Sequence, residues 1–203
     1  MPTLLLIRHG ENDYVKQGKL AGRLPGVCLN ETGRQQAQRL AELLSKAPLK
    51  AVYASPLERA QETAVPLAHS HGLDVQVRPE LIEIDIGAWT DQPLKALRRR
   101  REWKTVQLAP SRFRFPGGET FAECQQRMVN ELEALCQLHT GKDIIIACVS
   151  HADPIKLAVA YYLGLPLDHF QRLSVSPGSI TALQLGDTSS TLLSLNSYSP
   201  LPK

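Results

Sequence analysis

Residues 4–7, Leu-Leu-Leu-Ile, run without a polar break into Arg8-His9-Gly10. A short, unbroken apolar run closed by glycine is the pattern of a strand buried on both faces, and such a strand belongs to a parallel sheet covered on two sides. The strand is expected to end near Arg8. Arg8 and His9 then sit at its C-terminal tip, the edge where open parallel α/β sheets bind ligands. Gly10 is expected to allow a sharp turn and to leave space beside the imidazole. A cation beside a histidine at that edge suits an anion. A lone triplet of this kind also occurs on surfaces and in cores, so the weight falls on what else reaches the same edge.

The rest of the chain alternates helical and strand patterns. Residues 12–29, with Gly18, Gly22, Pro25 and Gly26, read as a long loop, a length that in a compact domain marks function or mobility. Asn30 is a candidate cap for a helix with Ala37, Leu40, Ala41 and Leu44 on one face. Residues 49–54 read as a second strand. Ser55 is expected to cap the next helix, with Pro56 in its first position. Arg59 then lies in the first turn, level with the strand tips. The helix dipole does not favour a cation there, so an anion or plain solvent must hold it. Residues 73–78 read as a third strand. In Leu81–Trp89, acidic and apolar residues alternate, which puts Glu83 and Asp85 on one side if the segment is extended. Paired carboxylates suit proton transfer when one is desolvated, and equally suit a solvated edge.

Residues 90–116 break this rhythm. They hold Arg98-Arg99-Arg100-Arg101, Trp103 and Phe113-Arg114-Phe115, and read as an inserted cap with one short helix over the strand tips. The arginine run is read first as a solvated helix face, and second as a contact for the non-reacting part of an anionic substrate. Thr120 and Glu123 form a capping box for a long helix. Residues 143–149 are the most strand-like run and deliver Ser150-His151-Ala152-Asp153-Pro154 to the same edge as His9. A helix follows from about Pro154 to Tyr162. Two weaker strands, near 179–185 and 191–197, are separated by Gly186-Asp187 and read as a hairpin at the side of the sheet. The tail from Pro200 is expected to be loose.

The fold class that results is α/β: a three-layer sandwich, with a mostly parallel central sheet, helices on both faces and a small cap. All of residues 1–203 read as one domain, with the cap inserted at about 90–116. A net charge of +3 carries no nucleic-acid footprint. No segment approaches the roughly 18 apolar residues that span a bilayer, and no signal peptide is evident, so a cytoplasmic location is expected. Cys28, Cys124, Cys136 and Cys148 are widely spaced, without metal or redox motifs, and are expected to be small buried residues.

The strand tips thus collect Arg8, His9, Arg59, Glu83 and His151. Arginine forks match the oxygens of a tetrahedral phosphate. A neutral imidazole can attack phosphorus, and a second can steady the equatorial oxygens. A carboxyl group can protonate the leaving oxygen and then activate water.

With these residues assembled, the chain resembles the histidine phosphatase superfamily, also called phosphoglycerate-mutase-like. Arg8-His9-Gly10 is similar to the family signature. Tyr53–Ala64, with Ser55-Pro56-Leu57-Glu58-Arg59, is similar to its second block. Leu81-Ile82-Glu83 with Gly87-Ala88-Trp89 is similar to the block carrying the acid, and Val149-Ser150-His151 to the last. Leu29-Asn30-Glu31-Thr32-Gly33 is similar to a family turn. The resemblance implies His9 as phosphorylated nucleophile, Glu83 as acid and base, His151 as second pocket histidine, and Arg8, Arg59 and His151 as phosphate ligands. It implies a phosphatase of small-molecule phosphate esters, with no metal and no cofactor. Val15 stands where the family often has asparagine, so Asn12 or Arg23 is a candidate replacement contact for substrate. The cap lacks the longer basic, tyrosine-rich segment of the mutases. Phe115-Pro116-Gly117-Gly118-Glu119 nevertheless resembles a phosphomutase branch, which keeps a mutase as the alternative. A phosphate-binding regulatory domain without turnover is a third reading.

Overall fold

The apolar run behind His9 forms β1 (Thr3–Arg8), and its four residues Leu4–Ile7 are fully buried. The computed structural model describes residues 2–141, 143–186 and 188–199. Along the chain follow α1 (Asp13–Gln17), α2 (Glu31–Leu44), β2 (Leu49–Ala54), α3 (Glu58–Ser70) and β3 (Val75–Val77). The second half contains α4 (Leu94–Leu97), α5 (Arg101–Leu108), α6 (Phe121–Leu138), β4 (Ile145–Ser150), α7 (Ala152–Tyr162), β5 (Ile180–Leu185) and β6 (Ser190–Ser197).

The strands form one six-stranded sheet in the order β3-β2-β4-β1-β5-β6. β1 to β4 pair in parallel, and β5 and β6 add the expected antiparallel hairpin at one side. Strand side chains alternate faces. Leu4, Leu6, Ile146 and Cys148 therefore pack with Met128, Leu132 and Ile155 of α6 and α7. Leu5, Ile7, Ala147 and Val149 pack with Leu40, Leu44, Ala64 and Leu67 of α2 and α3 on the other face. This is the three-layer arrangement expected from the sequence. Asp187 and the tail from Pro200 lie outside the described residues.

Several local expectations are corrected. The segment 12–29 is not wholly loop. Asn12 accepts a hydrogen bond from the Val15 amide at 2.9 Å and caps α1, which Gly18 ends in the left-handed conformation. α3 starts at Glu58 after Leu57, not at Pro56, because the Ser55 hydroxyl is engaged elsewhere in the site. The third strand covers only Val75–Val77. Residues 82–86 join two 3₁₀ turns and pair with no strand among the described residues. Cys28 is exposed, so it is not the buried residue expected.

The cap holds two helices, α4 and α5, and a 3₁₀ turn at Pro110–Arg112, rather than one helix. Its core is shared with α6, α7 and the segment after α7. Trp89, Phe113, Phe115, Phe121 and Phe170 pack in sequence with ring centroids 5.0–5.3 Å apart. Arg98 to Arg101 are all exposed on its outside, as in the first reading of that run. The capping box is present: Glu123 N–H donates to Thr120 Oγ1 at 3.1 Å, and Thr120 N–H to Glu123 Oε2 at 2.8 Å.

Candidate active site

β1 and β4 are neighbours, and their register pairs Arg8 with Ser150. Each strand is followed at once by a histidine, so His9 and His151 emerge side by side. Their ring centroids are 5.1 Å apart, the planes cross at 61°, and the His9 amide donates to the Ser150 carbonyl at 3.0 Å. β2 flanks β4 on its other side, which brings the first turn of α3 and Arg59 to the same edge.

The imidazole of His9 is 3% exposed, and its Nδ1 lies 2.7 Å from the Gly10 carbonyl. A carbonyl only accepts, so Nδ1 carries the proton and Nε2 keeps its lone pair. Burial first, then the charges of Arg59 and Arg8, hold the His9 pKa well below the usual imidazole value. The ring is neutral at pH 7, the form that can attack. Gly10 is needed for close approach rather than for a positive φ: a Cβ there would lie 2.6 Å from the Gly33 carbonyl oxygen in the first turn of α2. A Cβ on Gly33 would lie 2.0 Å from the Glu11 carbonyl oxygen, so the two backbones are pressed together. Thr63 fastens the loop further, accepting from the Gly10 amide at 3.0 Å and donating to the Arg59 carbonyl at 2.7 Å.

Both guanidinium groups are partly tied to backbone. Arg8 Nη1 donates to Val175 O at 2.8 Å, and Arg59 Nη2 to Gly22 O at 2.7 Å. Arg8 Nε, Arg59 Nη1 and His151 Nδ1 are buried and meet no hydrogen-bond partner among the described residues. Such a group costs about 1–3 kcal/mol when left unsatisfied, more when charged. Arg8 and Arg59 line one cleft, with His151 packed beside His9 at its edge, and their open donors suit a multivalent anion. The cleft is lined by Arg8, His9, Asn12, Arg59, Glu83 and Asp153, among others.

Ser55, read from sequence as a helix cap, instead places its Oγ 2.8 Å from His151 Nε2. Oγ also accepts weakly from the Leu57 amide at 3.4 Å. The Glu83 carboxyl facing Nδ1 favours the tautomer with the His151 proton on Nδ1, in which the Ser55 hydroxyl donates to Nε2. Glu83 Oε2 lies 3.8 Å from that Nδ1, while Oε1 accepts from the Ile84 amide at 2.9 Å. Burial, and next the nearby Asp153 carboxylate, raise the Glu83 pKa to about 7. A carboxyl group poised there can give a proton and take one back near neutral pH.

The other candidates separate. Asp85 does not join Glu83. Its Oδ1 accepts from the Gly87 amide at 2.9 Å, and its Oδ2 lies 3.8 Å from Arg23. Arg23 lies outside the cleft lining. Its Nε donates to the Glu83 carbonyl at 2.7 Å, and its Nη2 reaches Glu119 at 2.9 Å, so it supports the backbone beneath Glu83. Asn12 does line the cleft, with Oδ1 occupied in capping α1. Among the described residues, no cluster of three or more His, Cys, Asp or Glu side chains could hold a metal ion. No helix among them is long and apolar enough to cross a membrane.

Residues 4–198 match the family described as Histidine phosphatase superfamily (branch 1). The chain belongs to the histidine phosphatase superfamily. Phosphoserine phosphatase 1 from Hydrogenobacter thermophilus is 29% identical over 198 residues, covering 97% of this chain and 92% of that protein. A 2,3-bisphosphoglycerate-dependent phosphoglycerate mutase from Thermoplasma acidophilum is 29% identical over 186 residues, covering 91% and 88%. A solved mycobacterial glucosyl-3-phosphoglycerate phosphatase superposes with a TM-score of 0.87 at 26% identity, covering 96% of this chain and 99% of that one. The fold and the phosphatase activity expected from the sequence stand with this histidine phosphatase membership.

Residue by residue, the sequence reading missed Ser55 as a partner of His151, Thr63 as a tie between Gly10 and Arg59, and the two carbonyls that orient the arginines. The residue types carried no signal for these, because each depends on which backbone the fold brings near. Arg59→Ala is expected to lower kcat/KM for any substrate ester by about 2–4 kcal/mol, roughly 30- to 900-fold, through loss of a desolvated anion contact. Steady-state kinetics at fixed pH check this, and a change under threefold would remove Arg59 from the site.

Proposed function

We propose that this chain hydrolyses small-molecule phosphate monoesters through a phosphohistidine at His9. The observation that carries the reading is the set of buried, partnerless donors on Arg8, Arg59 and His151 around an imidazole whose Nε2 lone pair is free.

In the first step, His9 Nε2 forms a bond to phosphorus as the ester P–O bond breaks. Arg8, Arg59 and His151 Nδ1–H stabilise the charge spread over the equatorial oxygens. Glu83 gives its proton to the departing oxygen. In the second step, the Glu83 carboxylate takes a proton from water, the water oxygen bonds to phosphorus, and the P–N bond breaks. Inorganic phosphate leaves, and both groups return to their starting states. Asn12 is an additional contact for the phosphoryl group, in the place of the family asparagine replaced by Val15.

The decisive experiment is rapid acid-free quenching of turnover with a ³²P-labelled ester. Protein-bound label that is lost in acid, kept in alkali and missing in His9→Ala supports the reading. Turnover with no such label overturns it. The guanidinium groups of Arg8 and Arg59 supply the positive field that a metal would otherwise provide, and the neutral imidazoles add a nucleophile and an N–H donor. Dialysis against EDTA, with EDTA kept in the assay, is therefore expected to leave kcat within about twofold, and loss of activity restored by a divalent ion would refute this part.

A further inference from the structure

The cleft that begins at the phosphate donors has a volume of about 300 Å³. A cavity of about 150 Å³ accommodates benzene, so this one has room for a phosphoryl group and one ring system. Away from Arg8 and Arg59 its wall is mainly apolar, with the uncharged polar side chains of Tyr14, Gln107 and Gln171 among it. Leu20 comes from the segment after α1, Ile84 follows Glu83, and Leu94, Trp103 and Val106 come from the cap. Trp103 is held in place by stacking on Trp89, with centroids 6.1 Å apart and planes 18° from parallel.

Charge in the cleft points the same way. Apart from Arg8 and Arg59, the one cation lining it among the described residues is Lys19. Its Nζ lies 2.5 Å from Asp91 and 5.1 Å from the centre of the Tyr14 ring, so its charge is already paired. Asp153 also lines the cleft, with its Oδ1 2.7 Å from Lys156 Nζ, and the exposed cap arginines Arg98 to Arg101 are absent from the lining. A second phosphate or carboxylate on the substrate would be moved from water onto hydrocarbon with no free cation to meet it, an unfavourable transfer.

We propose that the leaving group is apolar and planar, carries no second anionic group, and is gripped against Trp103 by the cap. The inference rests on the phosphatase reading and adds the class of ester to it. Bisphosphate and phosphoglycerate chemistry fit this wall poorly, which also weighs against a mutase.

The test separates binding from turnover. Calorimetry on the purified full chain measures the affinity of 2-phenylethylphosphonate, ethylphosphonate and phosphonoacetate, three non-hydrolysable probes. In parallel, kcat/KM is measured for 2-phenylethyl phosphate, ethyl phosphate and 3-phosphoglycerate, all esters of aliphatic alcohols, so that the aryl group is not also an activated leaving group. The phenylethyl probe is expected to bind at least about tenfold tighter than the ethyl probe and about 100-fold tighter than phosphonoacetate, with kcat/KM in the same order. Trp103→Ala is expected to cut the phenylethyl-to-ethyl ratio about tenfold. Phosphonoacetate binding as tightly as the phenylethyl probe overturns the inference, and so does an unchanged ratio in a folded Trp103→Ala protein. If that variant does not fold, the order of the wild-type affinities decides alone. The expected binding order without turnover of any ester would sink the phosphatase reading and leave the shape and charge preference standing.

Discussion

His9→Ala will lower kcat/KM for phosphate ester hydrolysis by about 10⁴-fold or more, because no other group in the cleft combines a free nitrogen lone pair with a place among the phosphate donors. The same variant keeps Arg8, Arg59 and His151, so inorganic phosphate is expected to bind it within about threefold of wild type. A neutral residue with no ion pair is removed, and stability should change little beyond the cavity left by the ring. A chromogenic ester assay and calorimetry with phosphate measure the two quantities. Residual activity above about 1% would deny His9 the nucleophile's place. Equal, negligible rates in wild type and variant, with phosphate still bound, would instead mark a regulatory phosphate-binding domain.

Glu83→Gln is the second large effect, expected at about 10²- to 10⁴-fold in kcat. Its signature is in the pH dependence. The group must be protonated to assist the departing oxygen, and its pKa is about 7 in the free protein. Wild-type kcat/KM for an alkyl ester should therefore lose nothing to this group below about pH 6, be halved by it at about 7 and fall tenfold per pH unit well above 7. A bound phosphate dianion disfavours the carboxylate further, so the corresponding limb in kcat should lie at higher pH. Glu83→Gln should lack both limbs. His9, held neutral, should contribute no loss of activity between pH 6 and 7. A falling limb that persists in Glu83→Gln would assign it to another group.

The same shift makes a stability prediction with a definite sign. The Glu83 pKa is raised in the folded protein relative to its usual 4.5, so the native state binds the proton more tightly than the unfolded chain. Stability is therefore lost as pH rises from about 4.5 to about 7, by an amount on the order of 3 kcal/mol for a shift of this size. Glutamine carries no such penalty. Glu83→Gln should unfold at a higher temperature than wild type at pH 8, and the difference should shrink towards pH 4. A variant less stable than wild type at pH 8 would contradict the desolvation of this carboxyl.

What could be read from residue order and what could not divide along physical lines. Leu4–Ile7 and Ile146–Val149 are unbroken apolar runs, so their burial at the centre of a sheet needed no further information. The polar residues that end them inherit their places from the strands, which is why Arg8, His9 and His151 were legible as neighbours. Arg59 was legible because its helix starts beside the next strand tip. Glu83 was half legible. The alternation of Glu83, Ile84, Asp85 and Ile86 was visible, with both isoleucines buried, but the different fates of the two carboxylates depend on Arg23 and Asp153, which only the fold brings near. Ser55 misled because a serine before a proline is a good cap by local rules, and a histidine 96 residues away claims its hydroxyl. The cap was least legible. Its helices are short, and Trp89, Phe113 and Phe115 bury themselves against one another rather than along a regular stripe.

β1 has one further consequence, for how the molecule comes into being. Both of its sheet partners, β4 and β5, begin at residue 145 or later, whereas β1 ends at residue 8. During synthesis this greasy strand is made well before either partner, and it waits with two open edges until β4 and β5 have emerged. Pairings so distant along the chain form slowly, and exposed strand edges invite self-association in the meantime. Recombinant yield should therefore depend on slowing translation or supplying chaperones more than on any surface substitution.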